Sequence, residues 1–254
     1  MLKVESVTKK FSGLVAVKDL SFEIAKGQIV AIIGPNGAGK STAFNLITGT
    51  LKPTWGKVTI NGHDITGMQP YRIVTRGVAR TFQTTSLFDQ LRVIDNLMIA
   101  YKWRTKLGFW NTLLHLPSWK RYQERAFARS IEVLEFLGLT AKANNFIPTL
   151  SQEEQKRLAI GVAIVSKPQL LLLDEPTGGL IQDETDRITE LIRKIRDEQG
   201  ITVCIIEHKM QMIMGLADRI VVLNYGEKIA EGSPEEIKVN PDVIEAYLGG
   251  ELNA

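Results

Sequence analysis

The sequence contains a single cysteine, Cys204, among its 254 residues. One cysteine excludes an internal disulfide framework and favours a reducing compartment. Its position in the apolar run ITVCII predicts a small buried side chain. No apolar run approaches the roughly 20 residues that cross a bilayer, and the N-terminus lacks the apolar core of a signal peptide. We therefore expect a cytosolic protein with at most peripheral membrane contact.

The sequence also lacks a strong excess of positive or negative charge. The net charge is +3, and charged residues make up 23% of the chain. This balance gives no reason to expect nucleic acid as a partner, and it does not exclude a membrane surface. The apolar content of 44% is typical of a soluble globular protein, and the length suffices for one large domain that includes a subdomain.

Alternating apolar strands and amphipathic helices predict an α/β fold with a doubly wound parallel core. Continuous apolar runs predict strands buried on both faces at residues 28–33, 170–176 and 201–208. Helices are predicted from Lys40 to about Gly49, over 91–137 with an interruption near Pro117, and over 183–199. The alternating segments LKVESVTKKF and AVKDLSFEI, and a hairpin turning at Tyr225-Gly226, predict antiparallel additions.

The strongest chemical motif is GPNGAGKST, which matches G-x-x-x-x-G-K-[ST] between a buried strand and a helix. Its glycines let backbone N–H groups point at phosphate oxygens, and the following helix adds its positive N-terminal end. We expect Lys40 to reach the β- and γ-phosphates and the Ser41 hydroxyl to ligate Mg²⁺. The candidate nucleotide-binding residues of this loop are Gly34, Pro35, Asn36, Gly37, Ala38, Gly39, Lys40, Ser41 and Thr42.

Polar residues end two of the buried strands, at the edge where open α/β sheets bind ligands. Asp174 fits the carboxylate that holds Mg²⁺, and Glu175 can hold the attacking water as a general base. His208 ends the other strand, so we expect it to contact the γ-phosphate. The alternatives are a simple turn at Asp-Glu-Pro and a structural histidine.

The order of the P-loop, TFQ, the LS…Q helix, LLLLDEP and IIEH resembles the nucleotide-binding subunit of ATP-binding-cassette (ABC) transporters. The segments FSGLVAV, GVARTFQ, the 101–130 insert and NPDVIEAYLGGE are similar to the LivG type, the ATPases of branched-chain amino-acid importers. This resemblance implies a P-loop NTPase fold with a mixed sheet core, an N-terminal antiparallel β-subdomain and a helical subdomain. Residues 1–254 would form one domain, with the helical subdomain of about 84–165 inserted between 1–83 and 166–254.

The resemblance also implies roles for single residues. Phe11 matches the aromatic residue that stacks on adenine; its alternative is a core residue at a strand end. Gln83 matches the glutamine that touches Mg²⁺ or the water and senses the transmembrane partner. Thr42 matches the contact to the α-phosphate. Ser151 lies in the signature motif, whose helix N-terminus faces the γ-phosphate of ATP held by the opposite subunit, so that two subunits enclose two ATP molecules.

The signature itself departs from the family pattern Leu-Ser-Gly-Gly-Gln. Gln152 and Glu153 replace the glycines, and Glu154 replaces the glutamine. A carboxylate ~4 Å from one phosphate charge costs about 1 kcal/mol in water. One hypothesis is therefore that the chain binds ATP but closes its dimer weakly. In the alternative, Glu153 and Glu154 turn outward and favour the helix start, where Ser151 and Glu154 have the capping-box spacing.

Two further segments bear on the partners. Ile181 stands where the family has Asp or Asn, and it cannot make their hydrogen bonds across the dimer. Residues 101–125 hold three of the four tryptophans among lysines and arginines, a mixture that suits a lipid headgroup boundary or a partner helix. An ordinary subdomain helix that buries these aromatic residues is favoured, because apolar stripes are commonly core. Residues 84–98, next to Gln83, are the expected contact with the membrane subunits.

The expected function is that of an ATP-binding and hydrolysing subunit that powers import of branched-chain amino acids. Its cofactors would be ATP and Mg²⁺. Its partners would be a homodimeric copy or a related ABC ATPase, transmembrane permease subunits and, indirectly, a periplasmic substrate-binding protein, at the cytoplasmic face of the inner membrane. The alternatives are the ATPase of a lipid or lipopolysaccharide exporter, a weakly hydrolysing regulatory cassette, and a soluble repair or translation ATPase.

Overall fold

The structure is a computed structural model that describes residues 1–81, 87–101 and 117–251. Its described strands form two sheets. The antiparallel sheet has the order β2-β1-β4-β5. Its strands are β1 (Leu2–Phe11), β2 (Leu14–Ile24), β4 (Trp55–Ile60) and β5 (His63–Asp64).

The larger sheet has the order β10-β9-β3-β8-β7-β6. Its strands are β3 (Ile29–Ile33), β6 (Val78–Arg80), β7 (Leu170–Asp174), β8 (Thr202–Ile206), β9 (Arg219–Asn224) and β10 (Glu227–Gly232). Strands β9, β3, β8, β7 and β6 run parallel, and β10 pairs with β9 in the antiparallel direction. The parallel direction brings the carboxyl ends of β3, β7 and β8 to one edge.

The helices lie on both faces of this sheet. They are α1 (Lys40–Ile47), α2 (Pro70–Thr75), α3 (Val93–Tyr101), α4 (Pro117–Phe136), α5 (Gln152–Ile164), α6 (Gln182–Gln199), α7 (Met210–Leu216), α8 (Pro234–Lys238) and α9 (Pro241–Glu251). No helix among the described residues has a stretch long and apolar enough to cross a membrane.

Successive side chains of each parallel strand enter different cores, because they point to opposite faces of the sheet. In β3, Ile29, Ala31 and Ile33 pack with helices α3 to α7, whereas Val30 and Ile32 pack with α1 and the antiparallel sheet. Burial on both faces explains why these strands are continuous apolar runs. Cys204 is fully buried in β8, as its apolar surroundings predict.

The predicted fold class is confirmed, and the element bounds differ in detail. The helix predicted to reach about Gly49 ends at Ile47, and the helix predicted from 183 begins one residue earlier. The helical prediction for 91–137 is confirmed over α3 and α4, while residues 102–116 lie outside the described range. The division into a 1–83/166–254 core and a helical subdomain of about 84–165 stays a prediction.

Candidate functional site

The P-loop leaves the carboxyl end of β3 and enters α1, as the motif predicts. At Gly34, where φ is +148°, a Cβ would lie 2.0 Å from the backbone oxygen of Leu223. At Gly39, where φ is +96°, a Cβ would lie 2.6 Å from the backbone oxygen of Ala16. The loop is therefore pressed between the end of β9 and the start of β2, and only glycine fits at both positions.

The side chain of Lys40 points back into the loop of residues 34–39, which precedes it. The residue is 6% exposed, and its Nζ donates to the backbone oxygens of Gly34 at 2.7 Å and Pro35 at 2.9 Å. Burial lowers the pKa of the Lys40 ammonium, and the carboxylates of Glu175 and Asp174 oppose this effect. The cation is thus already positioned at the centre of the loop.

A cavity of about 450 Å³ joins most of the predicted site residues. It is lined by Leu14, Val15, Ala16, Asn36, Gly37, Ala38, Gly39, Lys40, Ser41, Thr42, Glu175, His208 and Tyr225. Phe11 lies beside this cavity, because it pairs with Leu14 across the β1–β2 turn. The residue is 42% exposed, so the alternative of a core residue is wrong, and the centre of its ring lies 4.9 Å from the Nζ of Lys9.

Glu175 and His208 meet at the cavity wall. The Nε2 of His208 lies 3.0 Å from the Oε1 of Glu175. Glu175 has φ of +48°, a left-handed conformation that costs a non-glycine residue about 1 kcal/mol. Its N–H donates to the backbone oxygen of Ile206 at 2.9 Å, which ties the end of β7 to the end of β8. The two loops therefore place an acid–base pair beside the P-loop.

Asp174 lies just beneath this pair and is 4% exposed. Its Oδ2 accepts from the Nη2 of Arg80 at 2.6 Å. Its Oδ1 is buried and has no hydrogen-bond partner among the described residues. Such an oxygen is suited to a cation or to a water bound by one. Gln83, the other expected contact to Mg²⁺, lies outside the described residues.

The start of α5 is a capping box, as its sequence predicts. The Ser151 hydroxyl accepts from the Glu154 N–H at 3.1 Å, and the Glu154 carboxylate accepts from the Ser151 N–H at 2.9 Å. Lys142 lies 3.6 Å from the same carboxylate. Ser151 is exposed and is not among the residues that line the cavity, which agrees with a surface position for the signature.

The structure corrects the expectation that Glu153 faces either the phosphate or the solvent. Glu153 is 3% exposed, and its Oε1 lies 2.8 Å from the Nε of Arg157 and 3.6 Å from the Nε of Arg187. One turn of helix brings Arg157 back to Glu153, and the packing of α6 against α5 supplies Arg187. The carboxylate therefore points into the contact between α5 and α6.

Arg80, Tyr225 and Tyr247 belong to the site but escape analysis of the sequence. Arg80 donates to Asp174, Tyr225 is 87% exposed at the hairpin turn, and Tyr247 contacts the P-loop. Burial raises the pKa of the Tyr247 hydroxyl, while a hydrogen bond with the Gly34 backbone lowers it in part. The segment GVARTFQ marked the neighbourhood of Arg80, whereas nothing local marks the two tyrosines.

The remaining predictions concern the surface. Ile181 is 67% exposed at the start of α6, where its N–H donates to Glu184. Trp119 stacks on Tyr122, with 5.5 Å between ring centroids, and Tyr122 stacks on Tyr101 at 5.8 Å. This stack agrees with the favoured subdomain helix, although the other two tryptophans of 101–125 lie outside the described residues.

A second, largely apolar cavity of about 550 Å³ lies between the helices and the edge of the larger sheet. Most of its lining comes from α2, β6, α3 and α5. The lining residues are Pro70, Tyr71, Val74, Ala79, Arg80, Thr81, Leu87, Ala100, Ala159, Val162, Ala163 and Ser166. Arg80 is one of these lining residues, so the cavity adjoins the side chain that donates to Asp174.

The sequence matches two family models and is similar to known proteins. A family model described as "ABC transporter" matches residues 17–178, and one described as "Branched-chain amino acid ATP-binding cassette transporter" matches 227–252. The chain is 43% identical to the "High-affinity branched-chain amino acid transport ATP-binding protein LivG" of Salmonella typhimurium, over 98% of both chains.

Two solved structures are similar to this fold. One is the ADP conformation of an ATP-binding cassette of an ABC transporter, with a TM-score of 0.86 and 31% identity over 98% of both chains. The other is a dimeric ATP-binding cassette in a post-hydrolysis state with ADP and Pi bound. It has a TM-score of 0.76 and 27% identity, over 92% of this chain and 99% of that chain.

Proposed function

Because the chain belongs to the ABC transporter family, within its branched-chain amino acid ATP-binding group, we propose that it hydrolyses ATP to power import of branched-chain amino acids. One observation carries this proposal. Lys40, Glu175 and His208 line a single cavity at the carboxyl ends of β3, β7 and β8. A phosphate-binding cation, a general base and a second proton-carrying group therefore face one bound triphosphate.

The loop of residues 34–42 holds the triphosphate. Its backbone N–H groups and the N-terminus of α1 donate to phosphate oxygens, and the ammonium of Lys40 exchanges its carbonyl contacts for the β- and γ-phosphates. Thr42 contacts the α-phosphate. Phe11, exposed beside the cavity, stacks on the adenine ring. The ammonium of Lys9 lies over the Phe11 ring.

A magnesium ion would be held between the polar side of the cavity and Asp174, which adjoins Glu175 but is not among the lining residues. The buried Oδ1 of Asp174 has no hydrogen-bond partner among the described residues, and the Ser41 side chain borders the cavity. Ser41, Asp174 and Gln83 would hold the ion, which supplies neutralisation of the phosphate charge. One carboxylate would suffice, because Mg²⁺ is commonly held by only one or two protein carboxylates. Arg80 fixes the second oxygen of Asp174, so the carboxylate cannot rotate away.

Glu175 takes the proton of the attacking water at its carboxylate, and His208 steadies the γ-phosphate. The 3.0 Å contact between their side chains keeps the Glu175 carboxylate oriented toward the phosphate end of the cavity. Both groups come from loops at the ends of buried strands, so their positions depend on the rigid sheet rather than on a long flexible segment.

A second cassette completes the site on its open side, and it is a copy of this chain or a related ABC ATPase. Ser151 and the start of α5 face the γ-phosphate bound by that partner.

Closure and reopening of the dimer move transmembrane permease subunits at the cytoplasmic face of the membrane. A helix of the permease enters the apolar cavity that Arg80 helps to line, because this cavity combines apolar walls with a link through Arg80 to Asp174. A periplasmic substrate-binding protein supplies the amino acid.

A second candidate function is a regulatory cassette that binds ATP and hydrolyses it slowly. The observation that favours it is the capping box at Ser151, where the carboxylate of Glu154 occupies a helix end that would otherwise attract a phosphate. This candidate predicts tight ATP binding with little phosphate release. The importer subunit predicts sustained phosphate release in the presence of its membrane partners.

Calorimetry with Mg-ATP tests the proposal at its first step. The wild-type chain should bind, and Lys40→Ala should lose most of the affinity because a buried phosphate-binding cation is removed. Equal heats from the two chains would contradict the proposal. Purification of the native complex then identifies the membrane and cassette partners, and phosphate release by that complex separates the importer subunit from the regulatory cassette.

A further inference from the structure

Glu207 is a buried carboxylate that does not line the nucleotide cavity, and it has no assigned role although it lies in the motif IIEH. It follows β8 directly, precedes His208 and is 3% exposed. A buried acidic side chain without partners would be strongly destabilising, so its hydrogen bonds indicate what it holds. Those bonds go to two different loops.

One carboxylate oxygen holds the loop that follows Glu175. The Oε1 of Glu207 accepts the Thr177 N–H at 2.8 Å and also accepts the Thr177 hydroxyl. Thr177 has no exposed surface, and its hydroxyl oxygen lies 3.8 Å from the sulfur of Met212. Thr177 is two residues beyond Glu175, so this contact fixes the turn that carries the proposed general base.

The other oxygen holds the loop of the histidine. The Oε2 of Glu207 accepts the His208 N–H at 2.9 Å, and the Lys209 N–H approaches the same atom at 3.5 Å. A carboxylate has two acceptor oxygens and no donor, so it can serve both loops at once. The amide of glutamine can accept from one loop only, since its NH₂ group meets an N–H donor on the other.

We propose that Glu207 is a positioning residue for hydrolysis, which clamps the Glu175 loop to the His208 loop and thereby keeps the two side chains in contact. This inference rests on the proposed function. The clamp opposes the tendency of Glu175 to leave its left-handed backbone conformation, and Lys156 supports it from α5 by donating to the Glu175 backbone oxygen at 3.3 Å. The side chain of Glu207 touches no nucleotide, so its effect falls on the rate rather than on ATP binding.

The test compares Glu207→Gln with the wild type in the complex with its membrane partners. We expect kcat for phosphate release to fall about 10- to 100-fold, because small displacements of reacting groups cost this much. The Kd for Mg-ATP should stay within about threefold of the wild type, since ground-state contacts are kept. The Glu175→Gln complex gives the background from any second cassette. A wild-type kcat in Glu207→Gln would overturn the proposal.

A double variant separates positioning from a general structural defect. If Glu207 acts through His208, adding Glu207→Gln to His208→Ala should lower kcat little further, because the two losses are shared. Fully additive losses would overturn the proposal. Glu236→Gln is the matched control, since the Glu236 carboxylate also accepts a backbone N–H, that of Ser233 at the start of α8 and away from the cavity. It should leave kcat unchanged.

Thr177 gives a second test if Glu207→Gln does not fold. Thr177→Ser keeps the hydroxyl and should retain kcat, whereas Thr177→Val removes it and should lower kcat. Equal rates for the two variants would overturn the proposal.

Hydrogen exchange gives a readout that does not depend on hydrolysis, because Thr177→Val should speed exchange at the amides of residues 177 and 208. If the wild-type complex released no phosphate, the proposed function would fall, and unchanged exchange would overturn the clamp by itself.

Discussion

The carboxylate of Glu153 and the guanidinium of Arg157 form a buried ion pair, with 2.8 Å between Oε1 and Nε. Arg157 also donates to the backbone oxygen of Leu137 at 2.7 Å, and Arg187 lies 3.6 Å from Glu153. The pair therefore connects α5 to the end of the α4 segment and to α6. A position that is glycine in the family pattern serves here as an anchor between helices.

Replacing Glu153 with glycine should destabilise the chain. Loss of one partner of a buried ion pair costs about 3 kcal/mol, and glycine inside a helix adds about 1 kcal/mol. Urea unfolding should show this decrease, whereas Arg187→Ala, which removes a half-exposed partner, should cost less than about 1 kcal/mol. Phosphate release should not rise in Glu153→Gly, because the carboxylate does not face the helix end. A faster and equally stable variant would contradict the anchor.

Replacing Glu154 with glutamine should favour the ATP-bound dimer. Glutamine keeps an acceptor for the Ser151 N–H but removes the negative charge, which opposes a phosphate by about 1 kcal/mol, or roughly fivefold in dimer affinity. Sedimentation with ATP in a Glu175→Gln background measures this change. Glu154→Ala is the control, because it removes the same charge but also the cap, at about 1 kcal/mol. Equal dimer affinities for wild type and Glu154→Gln would show that the charge does not oppose closure.

The pKa of Lys40 predicts proton uptake when ATP binds at alkaline pH. Burial lowers the pKa of Lys40 in the free folded chain. Between this lowered pKa and the ordinary pKa of the unfolded lysine, the unfolded chain binds a proton that the folded chain lacks. The free energy of unfolding therefore rises with pH across this window. Phosphate oxygens favour the charged form and raise the pKa again. Mg-ATP binding should therefore take up a proton in this window, and affinity should fall as pH rises through it.

Calorimetry in two alkaline buffers of different ionisation enthalpy measures this uptake. The control is Lys156→Gln, because burial also lowers the pKa of Lys156 although it does not line the cavity. This variant should keep the proton uptake of the wild type. Binding without any uptake would show that Lys40 is fully charged before the nucleotide arrives.

The thiol of Cys204 should report global unfolding. Its side chain is fully buried in β8, and burial raises its pKa far above the usual range. Because thiolate is the reactive form, an alkylating reagent should modify it only when the sheet opens. Its labelling rate in urea should follow the unfolding transition seen by circular dichroism. Rapid labelling of the native chain would contradict the buried position.

The grouping of residues around the candidate site was largely predictable because its signals are local in sequence. The spacing GPNGAGKST specifies a loop between strand and helix, and the polar residues that end LLLLDE and VCIIEH follow buried strands. Parallel strands bring their carboxyl ends to one edge, so the contact between Glu175 and His208 follows from topology. The capping box at Ser151 was visible for the same reason, since both of its partners lie within one helical turn.

The partners of Glu153, Asp174 and Glu207 were not predictable in this way. Arg80 is 94 residues from Asp174 along the chain, and Thr177 is 30 residues from Glu207. Each pair meets only after the sheet is assembled and the helices are packed on it. The sequence around Glu153 predicted a carboxylate that faces a phosphate or the solvent. Nothing at the start of a helix indicates that α6 supplies an arginine to this carboxylate.

The amino-acid sequence by itself determined the strand and helix order, the phosphate loop and the residue types that face it, because these depend on periodicity and on contacts within a few residues. Tertiary structure alone decided which charges are buried against which partners, including the inward turn of Glu153 and the hold of Arg80 on Asp174. The physical reason is that a buried charge is tolerated only beside its counter-charge or donors, and those lie on elements distant in sequence.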